Sequence, residues 1–321
     1  MQKTTILIPV FNDTETVKLL LEQLDNSSIK SGGYLEIILV DDGSFAPIQL
    51  DKEGQNTWRN IDAIKILTLK RNFGHQIAIA VGLAYIKEKC ASNIVIVMDA
   101  DGEDRPQDIN KLIEVHETNP GKIIFARRSK RSEGFVFSVL YRVYKFTFRI
   151  LTGNTIIFGN FSLIPFSFLE HIIHIPEVWL HYSASIVRYK LPLAATPIER
   201  GRRLAGRSKM NFTSLIKHGL SAVVINIEAV MVRCLIGAII LTILSSALIS
   251  LIIAVRLLSN LAIPGWASTL VALLIIIFLQ SVMISLFFVF MTLNSKNAEK
   301  AAPIEIYERF IKSETKAYPI S

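Results

Sequence analysis

The sequence predicts an α/β domain built on a mainly parallel sheet, followed by two C-terminal membrane-spanning helices. Three observations carry that prediction. Apolar, strand-like runs alternate with helix-like segments through residues 4–126, a polar cluster follows each of the first four runs, and beyond residue 222 two long apolar stretches dominate.

The runs at 4–10, 35–40, 63–69, 93–98 and 122–126 are rich in Ile, Val and Leu and bounded by polar or turn residues, as buried strands are. Helices are expected between them. Residues 14–24 carry an apolar stripe at Val17, Leu20, Leu21 and Leu24, residues 75–89 carry another, and 106–117 begins with a proline suited to a first helical turn. In an open sheet of this kind, ligands collect beyond the carboxyl ends of the strands. The clusters Phe11-Asn12-Asp13, Asp41-Asp42-Gly43-Ser44, Arg71-Asn72-Phe73-Gly74 and Asp99-Ala100-Asp101 occupy those ends.

Residues 135–151 interleave Phe135, Phe137, Val143, Tyr144, Phe146 and Phe148 with Arg142, Lys145 and Arg149. Such a helix suits the headgroup region of a bilayer, and equally a core helix with a basic outer face. A second amphipathic helix is expected over 210–227. Residues 234–255 and 266–293 then run without charge, each at or beyond the roughly 20 residues that span a bilayer, joined by a short loop at Pro264-Gly265. Gln280, the one strongly polar residue of the second span, is expected to pair the helices. Basic sequence before the first span, and Lys296 and Lys300 after the second, place the domain and both termini at the cytoplasmic face of the inner membrane.

The formal charge of +8 is concentrated in two stretches, around Arg127, Arg128 and Arg131, and around Arg202, Arg203 and Lys209. Because both flank membrane-directed sequence, phosphorylated substrates or anionic lipid are the expected partners, and nucleic acid is not. Two cysteines, Cys90 and Cys234, lack the spacing of a disulfide framework or a zinc site.

The chemistry-bearing signal is the strand 95–98 running into Asp99-Ala100-Asp101-Gly102-Glu103. Carboxylates at i and i+2 after a buried strand can converge on a hard divalent cation, which prefers oxygen ligands and bridges diphosphates. The same letters serve a solvated turn that caps the helix from Pro106. A second strand ends in Val40-Asp41-Asp42-Gly43-Ser44, where acids can accept from ribose hydroxyls or a base imide and glycine admits a close backbone approach.

Taken in order, Pro-Val-Phe-Asn at 9–12, Val-Asp-Asp-Gly-Ser at 40–44, Arg-Asn-Phe-Gly-His-Gln at 71–76 and Met-Asp-Ala-Asp at 98–101 resemble the family 2 inverting glycosyltransferases of glycosyltransferase-A fold. Gly159-Asn160-Phe161, Arg200-Gly201-Arg202-Arg203 and Gly206-Arg207-Ser208-Lys209, followed by two spans, are similar to the branch that includes dolichol- and polyprenyl-phosphate hexose synthases. The resemblance implies that Pro9, Asn12 and Asp13 edge a nucleotide pocket and that Asp42 contacts base or ribose. It implies that Asp99 contacts the donor, that Asp101 is the main ligand of Mg²⁺ or Mn²⁺, and that Glu103 helps it. Relatives carry Leu-Gln-Asp-Pro-Pro where this chain has Gly102-Glu103-Asp104-Arg105-Pro106, and Gly-Asp-Phe-Arg or Gly-Ser-Phe-Arg where it has Gly159-Asn160-Phe161-Ser162.

The expected reaction is inverting transfer of a hexose from a UDP- or GDP-type sugar to a polyprenyl phosphate. Arg128 and Arg202 join Asp99 and Asp101 as candidate catalytic residues, and Arg127, Arg131, Arg203 and Lys209 are candidate acceptor or phosphate contacts. A hydroxyl of a lipid-linked saccharide is the alternative acceptor; it needs a general base, for which Glu177 is the candidate. A non-catalytic membrane adaptor or flippase partner is the alternative of another class. The expected segments are a nucleotide-sugar core (1–134), an acceptor-side part with interfacial helices (135–227), the spans (228–294) and a cytoplasmic tail (295–321). The resemblance also implies assembly as a homo-oligomer.

Overall fold

The computed structural model describes residues 3–319 except 28, 30–32, 51–57, 129–134, 154–157, 200, 206–220, 222, 259–264 and 297–300. The chain divides into two compact units, one of residues 1–138, 156–225 and 300–321 and one of 139–155 and 226–299.

The first unit is built on an eight-stranded sheet. Its strands are β1 (Lys3–Val10), β2 (Tyr34–Asp41), β3 (Ala63–Leu69), β4 (Ile94–Val97), β5 (Ile123–Arg128), β6 (Ser162–Pro165), β7 (Leu193–Ile198) and β8 (Ile311–Tyr318). They lie in the order β7-β5-β6-β4-β1-β2-β3-β8. Pairing is parallel for β4-β1, β1-β2, β2-β3 and β5-β7, and antiparallel where β6 enters between β4 and β5 and where β8 closes the β3 edge. The five expected strands are all present. Of the three that were not expected, β6 has only four residues and ends in proline, β7 carries a proline at 197, and β8 has an exposed, charged middle.

Helices cover both faces, as burial of Ile, Val and Leu on both sides of a parallel sheet requires. α1 (Thr14–Asn26) and α3 (Ile109–Thr118) pack on one face through Val17, Leu20, Leu21, Leu24 and Leu112. On the other lie α2 (His75–Lys89), α5 (Phe166–Ile173) and α6 (Tyr182–Arg188), around Ile79, Leu83, Ile172 and Tyr182. Residues 75–89 do not form the amphipathic stripe first expected: Ala78 through Ile86 are all buried, because strand, α5 and the C-terminal segment surround α2.

The segment from 295, expected as a tail, is corrected by the fold: α9 (Pro303–Ile306) and β8 belong to the sheet unit. The chain therefore leaves this unit after residue 225 and returns to it at residue 300.

The second unit holds α4 (Phe135–Thr152) from residue 139 onward, with α7 (Ile227–Leu258) and α8 (Trp266–Lys296). α7 and α8 are long and apolar enough to cross a membrane, with mean hydropathies of 2.7 and 2.8 over windows in which few residues are buried. They pair through a hydrogen bond between Thr242 Oγ1 and Ser281 Oγ at 2.7 Å. Gln280 is exposed, so the pairing role expected of it falls to its neighbour Ser281. On α4, Val143, Phe146 and Ile150 form an exposed apolar strip beside exposed Arg142 and Arg149, whereas Phe148 is buried. Arg233 Nη1 of α7 donates to the carbonyls of Ile150 at 2.7 Å and Arg149 at 3.3 Å, the latter also accepting from Gly153 N at 2.9 Å, so a cation sits at the C-terminal end of α4. The helix expected over 210–227 lies mostly outside the described residues.

Candidate active site

Beyond the carboxyl ends of β1, β2 and β4, three loops meet. β1 lies between β4 and β2, and the last β1–β4 partners are Leu7 and Val97. Past that point β4 no longer pairs with β1, and a crevice can open. Pro9 sits there, buried and opposite Val40, two residues beyond the last β4 partner, where proline interrupts no ladder on that side.

The β1 and β2 turns are cross-linked by Asn12. Its backbone lies in the left-handed region at φ +53°, a conformation asparagine tolerates. Its amide donates to Ser44 Oγ at 2.8 Å, and its Oδ1 accepts from the amide of Phe45 at 2.9 Å. Asp41 Oδ1 in turn accepts from Ser44 N at 2.9 Å. Asp42 faces the β3–α2 loop, where its two carboxylate oxygens accept from the amides of Phe73 at 2.7 Å and Gly74 at 2.8 Å. Burial raises the pKa of Asp42 against the opposing pull of those amides and of His75. Gly43, at φ +71°, lets the turn approach that loop: a Cβ there would lie 2.6 Å from Asn72 N.

The Asp99–Glu103 turn is held from within. Asp104, buried, accepts from Asp99 N at 3.0 Å, and Asp101 Oδ1 accepts from Glu103 N at 3.0 Å across Gly102, at φ +79°. Residues 201–205 are pinned over this turn by Gly201 N to Glu103 O at 2.8 Å and Leu204 N to Asp101 O at 3.1 Å. That places Arg203 on two acids: Nη2 lies 3.0 Å from Asp13 Oδ2, and Nη1 3.5 Å from Asp101 Oδ2. Asp13 stands at the N-cap of α1, where aspartate commonly caps, yet its side chain makes no cap bond there and turns to Arg203. Burial raises the pKa of Asp101, the neighbouring Asp99 and Glu103 add to the rise, and the Glu103 amide and Arg203 oppose it.

Three residues that sequence reasoning left unassigned complete the group. His75 Nε2 lies 3.1 Å from Asp99 Oδ1 and 3.0 Å from Asn160 Nδ2. Gln76 Nε2 donates to Asn160 Oδ1 at 3.3 Å, while its Oε1 accepts from Tyr182 N at 2.6 Å. Although its side chain is 41% exposed, partial desolvation in the crevice pulls the His75 pKa down, but Asp99, Asp42 and Asp101 outweigh it, and the value ends above the ordinary one. The motif Arg-Asn-Phe-Gly-His-Gln was legible, but the part played by His75 depends on Asn160, brought in by antiparallel β6.

The remaining candidates separate. Arg127 is the next-to-last residue of β5, before Arg128, and is exposed. Arg202 is exposed and lines a shallow pocket with Gly102, Arg105 and Asn26. The side chain of Arg128, and Arg131 and Lys209 entirely, lie outside the described residues. Glu177, the candidate base, is buried and engaged: Tyr189 Oη donates to its Oε2 at 2.8 Å, and Arg188 Nη1 lies 3.6 Å from Oε1. Among the described residues no group of three or more His, Cys, Asp or Glu forms a ready cation cage.

Comparison with known proteins bears on this arrangement. The chain is 27% identical over 285 residues to an uncharacterized glycosyltransferase of Synechocystis sp., covering 84% of each chain. It is 23% identical over 222 residues to the undecaprenyl-phosphate 4-deoxy-4-formamido-L-arabinose transferase of Erwinia tasmaniensis, covering 67% of this chain and 65% of that one. Among solved structures, glucosyl-3-phosphoglycerate synthase from Mycobacterium tuberculosis, in complex with Mn²⁺, UDP-glucose and phosphoglyceric acid, aligns with a TM-score of 0.49 at 14% identity. That alignment covers 73% of this chain and 80% of that one. The family model for glycosyl transferase family 2 matches residues 5–173, more than half of the 321 residues, and with this mixed, mainly parallel sheet it identifies the fold as glycosyltransferase-A: the chain belongs to glycosyl transferase family 2.

Proposed function

We propose that this glycosyltransferase moves a hexose, with inversion, from a UDP- or GDP-type sugar to a polyprenyl phosphate at the cytoplasmic face of the inner membrane. The observation that carries the reading is the bridge of Arg203 between Asp13 and Asp101, which gathers acids from two strand ends and a guanidinium around one crevice. That combination matches a diphosphate leaving group: cations for its oxygens, carboxylates for the ion that accompanies it.

Asp101, helped by Glu103, would hold Mg²⁺ or Mn²⁺, and Asp99 beside it would contact the donor. The all-oxygen donor set fits, because Mg²⁺ is commonly held by one or two carboxylates together with substrate phosphates. When bound, the ion neutralises charge on the departing diphosphate. Asp42, fixed by two backbone amides, orients the nucleoside end, and Pro9, Asn12 and Asp13 edge its pocket. His75, in contact with Asn160, would steady Asp99. A lipid phosphate is already anionic at neutral pH, so the acceptor needs positioning by cations such as Arg127 and Arg202 rather than a general base. The name of the Erwinia relative supports a polyprenyl-phosphate acceptor. The return of the chain to its sheet unit after two apolar helices supports a membrane anchor with both ends on one side.

The test is to incubate purified full-length protein with undecaprenyl phosphate, Mn²⁺ and radiolabelled UDP-glucose, UDP-galactose or GDP-mannose. Label in an acid-labile monophosphoryl lipid is the expected outcome. Label only in a lipid-linked saccharide moves the assignment to the hydroxyl acceptor, and hydrolysis of no donor under any condition removes it.

A further inference from the structure

The segment that follows the second apolar helix reaches the loop that holds Asp42. Its anchoring is extensive. Trp179 Nε1 donates to Ala301 O at 2.9 Å, Tyr307 is buried with its hydroxyl on Glu88 Oε2 at 2.7 Å, and β8 runs antiparallel along β3. Between Tyr307 and β8 stands Phe310. Its carbonyl accepts from Lys70 N at 2.9 Å, and Lys70 Nζ donates to the adjacent Arg309 carbonyl at 2.7 Å.

The Phe310 ring packs edge-on against Phe73, with centroids 4.8 Å apart and planes at 73°, and against Trp179 at 5.0 Å. Arg71 lies over the Phe73 ring, 4.4 Å from its centroid. Phe73 is thus gripped from two directions, and it is the residue whose amide donates to Asp42 Oδ1, just before Gly74 donates to Oδ2. Gly74, at φ +103°, has no side chain with which to steady the loop, so the restraint rests on its neighbours.

We propose that Phe310 is a positioning residue for the donor site, acting through Phe73 on the two amides that fix the Asp42 carboxylate; its donor part rests on the function proposed above. An aromatic pair of this geometry is worth enough to shift a loop equilibrium severalfold.

Amide hydrogen exchange at Phe73 and Gly74, followed in the full chain without any nucleotide, tests the loop part directly. Phe310→Ala is expected to speed exchange at both amides while β1 amides keep their protection. Phe310→Leu, which restores apolar bulk, should return most of it. Phe73→Ala combined with Phe310→Ala should exchange no faster than Phe73→Ala alone, since the two act through one contact. With UDP-glucose or GDP-mannose as donor, Phe310→Ala should raise donor KM about fivefold with kcat within about twofold. Unchanged exchange in Phe310→Ala, or equal loosening of β1, overturns the proposal, and so does faster loop exchange with an unaltered donor KM. Faster loop exchange in a protein that turns over no nucleotide sugar supports the loop assignment and overturns the function instead.

Discussion

Arg203 reaches back to Asp13, 190 residues earlier in the chain, with 3.0 Å between Nη2 and Oδ2. The contact ties the segment after β7 to the end of β1 and also brings a guanidinium beside Asp101. A partly exposed ion pair of this kind adds little to stability, about 0–1 kcal/mol. Its consequence should be felt in turnover. Arg203→Ala is expected to lower kcat/KM by about a hundredfold, the scale for losing one charge-stabilising donor, with Tm nearly unchanged. Arg203→Lys should recover part of the activity, because a lysine supplies charge without the two-pronged reach. Steady-state kinetics and a thermal melt on the same preparations decide it.

Asp101 should trade stability for function. Its pKa is raised, mainly by burial, above the ordinary aspartate value, so the folded chain holds this proton more tightly than the unfolded one. The stabilising share is complete below the unfolded value and disappears as pH rises through the folded one, leaving a strained carboxylate at neutral pH. Asp101→Asn in EDTA is therefore expected to melt higher than the parent at pH 7.5, with the gain shrinking near pH 4. Addition of Mn²⁺ with UDP or GDP should reverse the ranking by stabilising only the parent. A variant that melts lower at pH 7.5 in EDTA would contradict the desolvation argument.

Much of this site was legible in the sequence because strand-ending acids announce themselves: Asp42, Asp99 and Asp101 follow apolar runs that the fold turns into β2 and β4. Two kinds of information were hidden. Partners supplied by strands without a period-two apolar pattern, such as Asn160 before β6 and Phe310 before β8, depend on tertiary pairing that local sequence does not encode. Equally hidden was the choice among similar cations. Arg202 and Arg203 are adjacent and alike in composition, yet backbone bonds from Gly201 and Leu204 to the Asp101–Glu103 turn place Arg203 on the acids and leave Arg202 exposed.

Gly43 is expected to be intolerant of any side chain. Its φ of +71° costs an L-residue about 1–2 kcal/mol, and a Cβ would meet the backbone of the 71–74 loop, which cannot yield without disturbing Asp42. Gly43→Ala should weaken UDP or GDP binding more than tenfold and lower Tm. Titration calorimetry with Mn²⁺ present and a melt of the same sample would show both effects; unchanged affinity would mean that the turn plays no part in the donor site.

Glu177 separates the two acceptor chemistries. Were the acceptor a hydroxyl with Glu177 as its base, removing the carboxylate's charge would cost at least the 10²-fold or so that general base catalysis contributes. The geometry argues otherwise, since both oxygens face groups of the protein, Tyr189 and Arg188, within the α6 region. Glutamine keeps an acceptor for the Tyr189 hydroxyl. Glu177→Gln is thus expected to retain kcat within about threefold and to lose only modest stability, on the order of 1 kcal/mol for the weakened contacts. Turnover of labelled nucleotide sugar into lipid by the variant, measured across pH 5.5–8.5, checks this: loss of activity by two orders of magnitude together with loss of the acid limb would return Glu177 to the reaction and favour the hydroxyl acceptor.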